Sequence, residues 1–163
     1  MPAWLISGFS PIGLLAVVLQ QIPGIVWALH PPTVDPFARN SGSLPVEILE
    51  KSFGIATVVL LVVVLARVPV PALLKTVSLV GAFAILAAYY SFYVLYYMGV
   101  TDWPILLGMA AFPPLCFFLV ALYQGNYPAL ITSVVFGGVH VGLTYANLGP
   151  HAGKDFGQAT RPS

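Results

Sequence analysis

Charge is what this sequence has least of. Its 163 residues include 6 Lys and Arg and 5 Asp and Glu, so 7% of the chain is charged against 59% hydrophobic, with a mean hydropathy of +0.94. A soluble domain carries about 25% charged residues. Such a composition cannot clothe a water-facing surface, which excludes an ordinary soluble globular domain. The few Lys and Arg residues are scattered, leaving no basic patch for nucleic acid and no polybasic lipid-binding surface. Cysteine is equally scarce. Cys116 stands alone inside an apolar run, which excludes an internal disulfide and a thiol-only metal site. Also missing are a Gly-rich phosphate loop, G-x-S-x-G, H-E-x-x-H and C-x-x-C, so motif-bearing hydrolases and thiol oxidoreductases lack support. No internal repeat suggests an inverted-topology transporter. No Lys or Arg precedes the first apolar run, so that run is expected to be a retained helix rather than a cleaved signal.

What is present is a set of five apolar segments, each long enough to cross a hydrocarbon core of about 30 Å. The expected fold is all-α: one integral membrane bundle of five transmembrane helices over about residues 1–148, with a polar tail at 149–163. Spans are expected near residues 11–30, 45–67, 72–98, 103–123 and 127–148. The alternative is four spans plus an interfacial N-terminal helix. Punctuation comes from caps and prolines: Ser10-Pro11, Pro31-Pro32, Ser43 with Pro45, the Val68–Pro71 turn, Gly99, Asp102 with Pro104, and Gly125-Asn126 with Pro128. Pro23 and Gly24 are expected to kink the first helix, while Trp4 and Phe9 mark an interfacial lead-in over residues 1–9. The loop flanked by Arg67 and Lys75 is basic and has no acid, so the positive-inside rule makes it cytoplasmic. With five spans, the N-terminus is then cytoplasmic and the C-terminus extracytoplasmic. Lys154 and Arg161 in the tail pull mildly the other way.

Polar side chains are not scattered within these segments. On the fifth, Ser133, Gly137, His140, Thr144, Asn147 and His151 recur at spacings of four and three, within roughly 80° of helical arc. Gly138 and Gly142 form a small-xxx-small pair on roughly the opposite face, where another helix can approach closely. Tyr89, Tyr90, Tyr93, Tyr96 and Tyr97 fall within roughly 120° of arc on the third segment and extend about 12 Å along it. That is deeper than an interfacial aromatic belt requires, so a hydroxyl-lined pocket wall is the alternative reading. Glu50 lies about two turns into the second segment and is the leading ionisable candidate; Glu47 and Lys51 are spaced for an ordinary ion pair. Asp102 reads as a helix cap, and His151 as a solvated tail residue. Pro113-Pro114 interrupts the fourth helix and frees carbonyls there.

Antiparallel spans send the tyrosines, the His140–Asn147 stretch, Glu47, Glu50 and His30 to the same half of the bilayer. An ionisable group at that depth ordinarily faces a cavity or a partner. The expected ligand-binding set is Glu50, Tyr89, Tyr93, Tyr97, His140, Thr144 and Asn147, with Gly138 and Gly142 for helix packing. No catalytic residue and no metal is assigned. The leading expectation is a non-catalytic subunit or a small-ligand- or lipid-binding component whose polar pocket lies in the extracytoplasmic half. A small proton-coupled transporter and an intramembrane enzyme acting on a lipid or quinone are the alternatives. No cofactor is expected, with haem, pigment or metal at His140 as the remote option. The partners expected are the lipid bilayer and a protein, either another chain or a second copy, and not nucleic acid.

Overall fold

The computed structural model describes residues 5–32, 43–66 and 68–148. Over these residues the chain is all-α, with five helices: α1 (Pro11–Leu29), α2 (Leu44–Val63), α3 (Ala72–Tyr97), α4 (Trp103–Gln124) and α5 (Tyr127–Leu148). Four of them, α1, α3, α4 and α5, are long and apolar enough to cross a membrane. The helix that falls short is α2 rather than the N-terminal one, because Glu47, Glu50 and Lys51 all lie within its 20 residues. The second helix stops at Val63, short of residue 67. There the chain turns extended, and β2 (Val64–Ala66) pairs antiparallel with β1 (Leu5–Ser7), within the stretch expected as an interfacial lead-in. The run Val62-Val63-Val64 is β-branched and tolerates the extended form well.

Helix α3 packs along α4, α4 along α5, and α5 along α2, while α1 lies across α2, α4 and α3 with thinner contact. The bundle is apolar outside as well as inside. Leu73, Ile55 and Val80 are 77%, 66% and 63% exposed, whereas Asn126, Thr57, Ser78 and Ser133 are nearly wholly buried. Apolar side chains outside and hydrogen-bonded polar ones inside suit lipid as the solvent. This is the architecture of a small multi-pass membrane protein.

One end of the bundle is closed by its own backbone. The last four carbonyls of a helix lack intrahelical donors, and in α2, whose C-cap Val64 N–H still bonds to Leu60, these belong to Leu61, Val62, Val63 and Val64. Each receives a donor from elsewhere in the chain: Gln124 Nε2 to Leu61 at 3.2 Å, Ser10 N to Val62 at 2.8 Å, Gly8 N to Val63 at 3.0 Å and Asn126 Nδ2 to Val64 at 3.1 Å. Ser10 also caps α1, its Oγ accepting from Gly13 N at 3.0 Å and from Gln124 Nε2 at 2.8 Å. Helix α1 comes so close to α2 that a Cβ at Gly13 would collide with the Leu61 carbonyl. Asn126, wholly buried, also donates to the Leu60 carbonyl at 2.9 Å, and its Oδ1 accepts from Ala129 N to start α5.

Candidate functional site

The opposite half of the bundle holds a cavity of about 240 Å³, lined by Trp27 of α1, Tyr89 and Tyr93 of α3, Met109, Ala110 and Pro113 of α4, and His140 and Thr144 of α5. Four helices meet there because each contributes its polar or kinked turn at the same depth. Pro113 and Pro114 lie inside α4, and proline has no N–H, so the carbonyls four residues earlier lose their helical donors. Those carbonyls belong to Met109 and Ala110, both on the cavity wall. The proline interruption of the α4 hydrogen-bond ladder and the cavity therefore fall at the same place.

His140 is the hinge between this cavity and α2. Its Nδ1 meets Glu50 Oε1 in a close ion-pair or hydrogen-bond contact, with the two side chains 29% and 19% exposed. The ring stacks on Phe136 with centroids 5.2 Å apart, and Phe136 in turn lies against the Cα of Gly54, one turn beyond Glu50. A small residue at 54 lets Phe136 settle against α2, which sets the imidazole within reach of the carboxylate. Glu50 itself does not line the cavity and reaches it only through His140.

Tyr89 is 5% exposed and makes edge contacts with Tyr93 at 5.1 Å and with Tyr90 at 6.3 Å. Deeper along α1, Gln20 is 3% exposed and lies within electrostatic reach of the Tyr89 hydroxyl, though neither of its amide atoms reaches good hydrogen-bond geometry with a described residue. The indole N–H of Trp27 is likewise buried without a partner there. Burying an amide or N–H unpaired costs about 1–3 kcal/mol, so both groups are held at a cost beside the same space. Two tyrosines fasten α1 in place. Tyr90 Oη donates to the Leu19 carbonyl at 2.8 Å, and Tyr97 Oη donates to the His30 carbonyl at 2.9 Å.

Of the expected ligand-binding residues, the fold brings Tyr89, Tyr93, His140 and Thr144 to one wall and joins Glu50 to them. Tyr97, half outside, ties α3 to the end of α1, and Asn147 is engaged away from the cavity lining. Ser133, lower on the same stripe, is buried and bonds back to the Leu130 carbonyl at 2.8 Å. Among the described residues nothing packs closely on Gly138 or Gly142: a Cβ at either would meet nothing within 4 Å, Gly138 borders an open groove between α4 and α5, and the close packing falls on Gly137, against Pro114. Asp102 sits at the N-cap of α4, but its side chain makes no capping bond; only its backbone carbonyl does. His151, Lys154 and Arg161 lie outside the described residues. Among the described residues no three His, Cys, Asp or Glu side chains converge as a metal cluster.

Sequence reasoning passed over Trp27 and Gln20. The signal was available: Gln20, Pro23 and Trp27 repeat at spacings of three and four in an otherwise apolar helix, which places a polar amide, a proline and an indole on one face. No protein-family model, curated protein or solved structure matches this chain.

Proposed function

We propose that this chain is a non-catalytic membrane component that binds a small lipid-soluble ligand in the cavity between α1, α3, α4 and α5. The observation that carries this reading is the cavity itself: about 240 Å³ between four helices, walled by Trp27, Tyr89, Tyr93 and Met109, with His140 and Thr144 as its polar points and the α4 turn that Pro113 deprives of a helical donor. A largely apolar space with a few polar side chains is the ordinary form of a small-ligand site. The basic Arg67–Lys75 loop at the other end favours the cytoplasm for that end, which supports an extracytoplasmic position for the cavity. Association with a partner or a second copy through the outward Gly138 and Gly142 face completes the reading.

Native mass spectrometry of protein extracted gently from its own membrane tests it. A protomer or complex carrying a discrete small molecule is expected, and that mass should vanish in Ala110→Phe, which fills the cavity. A wild-type chain that always flies empty would sink the proposal. A second reading, a proton-coupled carrier, draws on the Glu50–His140 contact beside the α4 break. Proton-driven uptake into liposomes, abolished by Glu50→Gln, would favour it over simple binding.

A further inference from the structure

We propose that the cavity receives the head of an organic cation, an alkylated ammonium group, in preference to an anion or a neutral solute. The inference rests on the ligand-binding reading above and names the class of ligand. What lines the space is rich in electrons. Trp27, Tyr89 and Tyr93 all border it, and aromatic rings attract a cation through the negative charge density of their faces, more strongly once water is excluded. Tyr89 and Tyr93 stand with their planes at 74° and their centroids 5.1 Å apart, so the two rings meet as adjoining walls do, while Trp27 supplies a third ring from α1. Met109 adds a polarisable sulfur. Met109 and Ala110 are also the lining residues whose carbonyls lose their helical donors to Pro113 and Pro114. Broken membrane helices coordinate cations through carbonyls of this kind.

The charges nearby point the same way. No Lys or Arg lines the cavity, and Lys51, beside Glu50, is exposed and absent from the wall. His140 brings Glu50 with it. Whether their contact is an ion pair or a hydrogen bond to a neutral ring, the two side chains together carry no net positive charge. The site therefore offers an anion no unpaired cation and does not repel an ammonium. Trp27, Tyr93 and Thr144 each lie within about one turn of the end of their helix. A charged head thus reaches the cavity from the headgroup side, without crossing the hydrocarbon core where a lone charge is costly. A cavity of about 150 Å³ already admits benzene. At about 240 Å³ this one has room for a methylated ammonium.

The test compares choline with its neutral tert-butyl analogue, in which carbon replaces the quaternary nitrogen, so the two probes share a shape and differ in charge. Each is titrated into the full chain in an uncharged maltoside detergent and into detergent alone, with calorimetry reading the difference. We expect choline to bind about tenfold more tightly, the equivalent of about 1.4 kcal/mol. Ala110→Phe, which fills the cavity, should abolish choline binding. Trp27→Leu should shrink the preference for choline, and Tyr93→Phe, which keeps the ring, should retain it. Displacement of choline by dioctanoyl phosphatidylcholine assigns the cation to a lipid headgroup, and no displacement assigns it to a free ammonium solute; both uphold the cation. Equal or tighter binding of the neutral probe overturns the cation preference and leaves the binding cavity standing. Choline that still binds Ala110→Phe sits elsewhere and overturns the assignment to this cavity. Failure of both probes to bind beyond the detergent blank also overturns the proposal, whereas the ligand-binding reading falls only if the wild-type chain is empty in native mass spectrometry as well. The comparison of the two probes needs no variant, so a misfolded mutant cannot rescue the idea.

Discussion

Two glutamines divide this bundle. Gln124, at the closed end, donates from Nε2 to Ser10 Oγ and to the Leu61 carbonyl, joining α4 to the caps of α1 and α2, while its Oε1 is buried without a partner among the described residues. Gln20, buried near the cavity, has both amide atoms unpaired among the described residues. The same side chain is thus a fastener in one half and an uncompensated load in the other. The closed end satisfies its orphan carbonyls with donors from four other places in the chain, whereas the cavity half leaves donors and acceptors unmatched around a space. A fold that can cap α2 so fully at one end has no general difficulty in pairing polar groups. Among the described residues, three of the four buried side-chain atoms without a partner belong to Gln20 and Trp27, and the fourth is Gln124 Oε1 at the closed end.

The contrast is broken most severely at Gly13. A Cβ there collides with the Leu61 carbonyl, and backbone cannot give way as a flexible side chain can. Gly13→Leu should cost about 3 kcal/mol or more, at or beyond the usual range for overpacking, read as a large drop in thermal or SDS-induced unfolding midpoint. Gly24→Ala in the same helix, where a Cβ meets nothing within 4 Å, should lose nothing. Equal effects at the two positions would show that the α1–α2 contact is not what holds the closed end. Asn126→Ala comes next. It removes two donors and the acceptor that starts α5, and should cost about 2 kcal/mol.

The paired glutamines give the sharper test because they should move in opposite directions. Gln124→Leu strips Ser10 and Leu61 of a donor and should destabilise by about 1 kcal/mol. Gln20→Leu relieves a buried unpaired amide and should stabilise by a similar amount in empty protein. Should both variants lose stability in SDS titration, Gln20 is already satisfied and the comparison between the two halves fails.

Much of this was legible in the residues. Five helices announce themselves because Pro11, Pro45, Pro104 and Pro128 sit in first turns and Gly99 and Gly125 follow last turns, the latter in the left-handed region at φ 65°. Tyr89, Tyr93, His140 and Thr144 could be grouped because antiparallel spans of known length bring equal depths together. What periodicity could not supply was lateral order. Nothing in the spacing says that α5 lies beside α2, so the Glu50–His140 contact was visible only as shared depth. Nor could it tell which turn of the tyrosine face meets a helix and which meets a void, and Tyr97 and Asn147 fell outside the wall for that reason. The β1–β2 pair was illegible because three-residue strands carry no period, and because their partners lie about 60 residues apart in sequence.

The gentlest perturbation concerns the surface rather than either half of the interior. Gly138 and Gly142 face outward from α5, and a side chain at either enters open space, so leucine there should leave the unfolding midpoint within about 0.5 kcal/mol of wild type. An interior packing role for these glycines would predict the opposite, a clash as damaging as that at Gly13. If the face instead receives a second helix from outside, closeness of approach is what glycine provides, and bulk at both positions holds the partner off. Gly138→Leu with Gly142→Leu should then disperse the assembly in mild detergent, read as a fall in native mass to the lone chain with its fold intact. A native mass unchanged by the double substitution would remove this face from the account and leave the glycines as a lipid-facing surface.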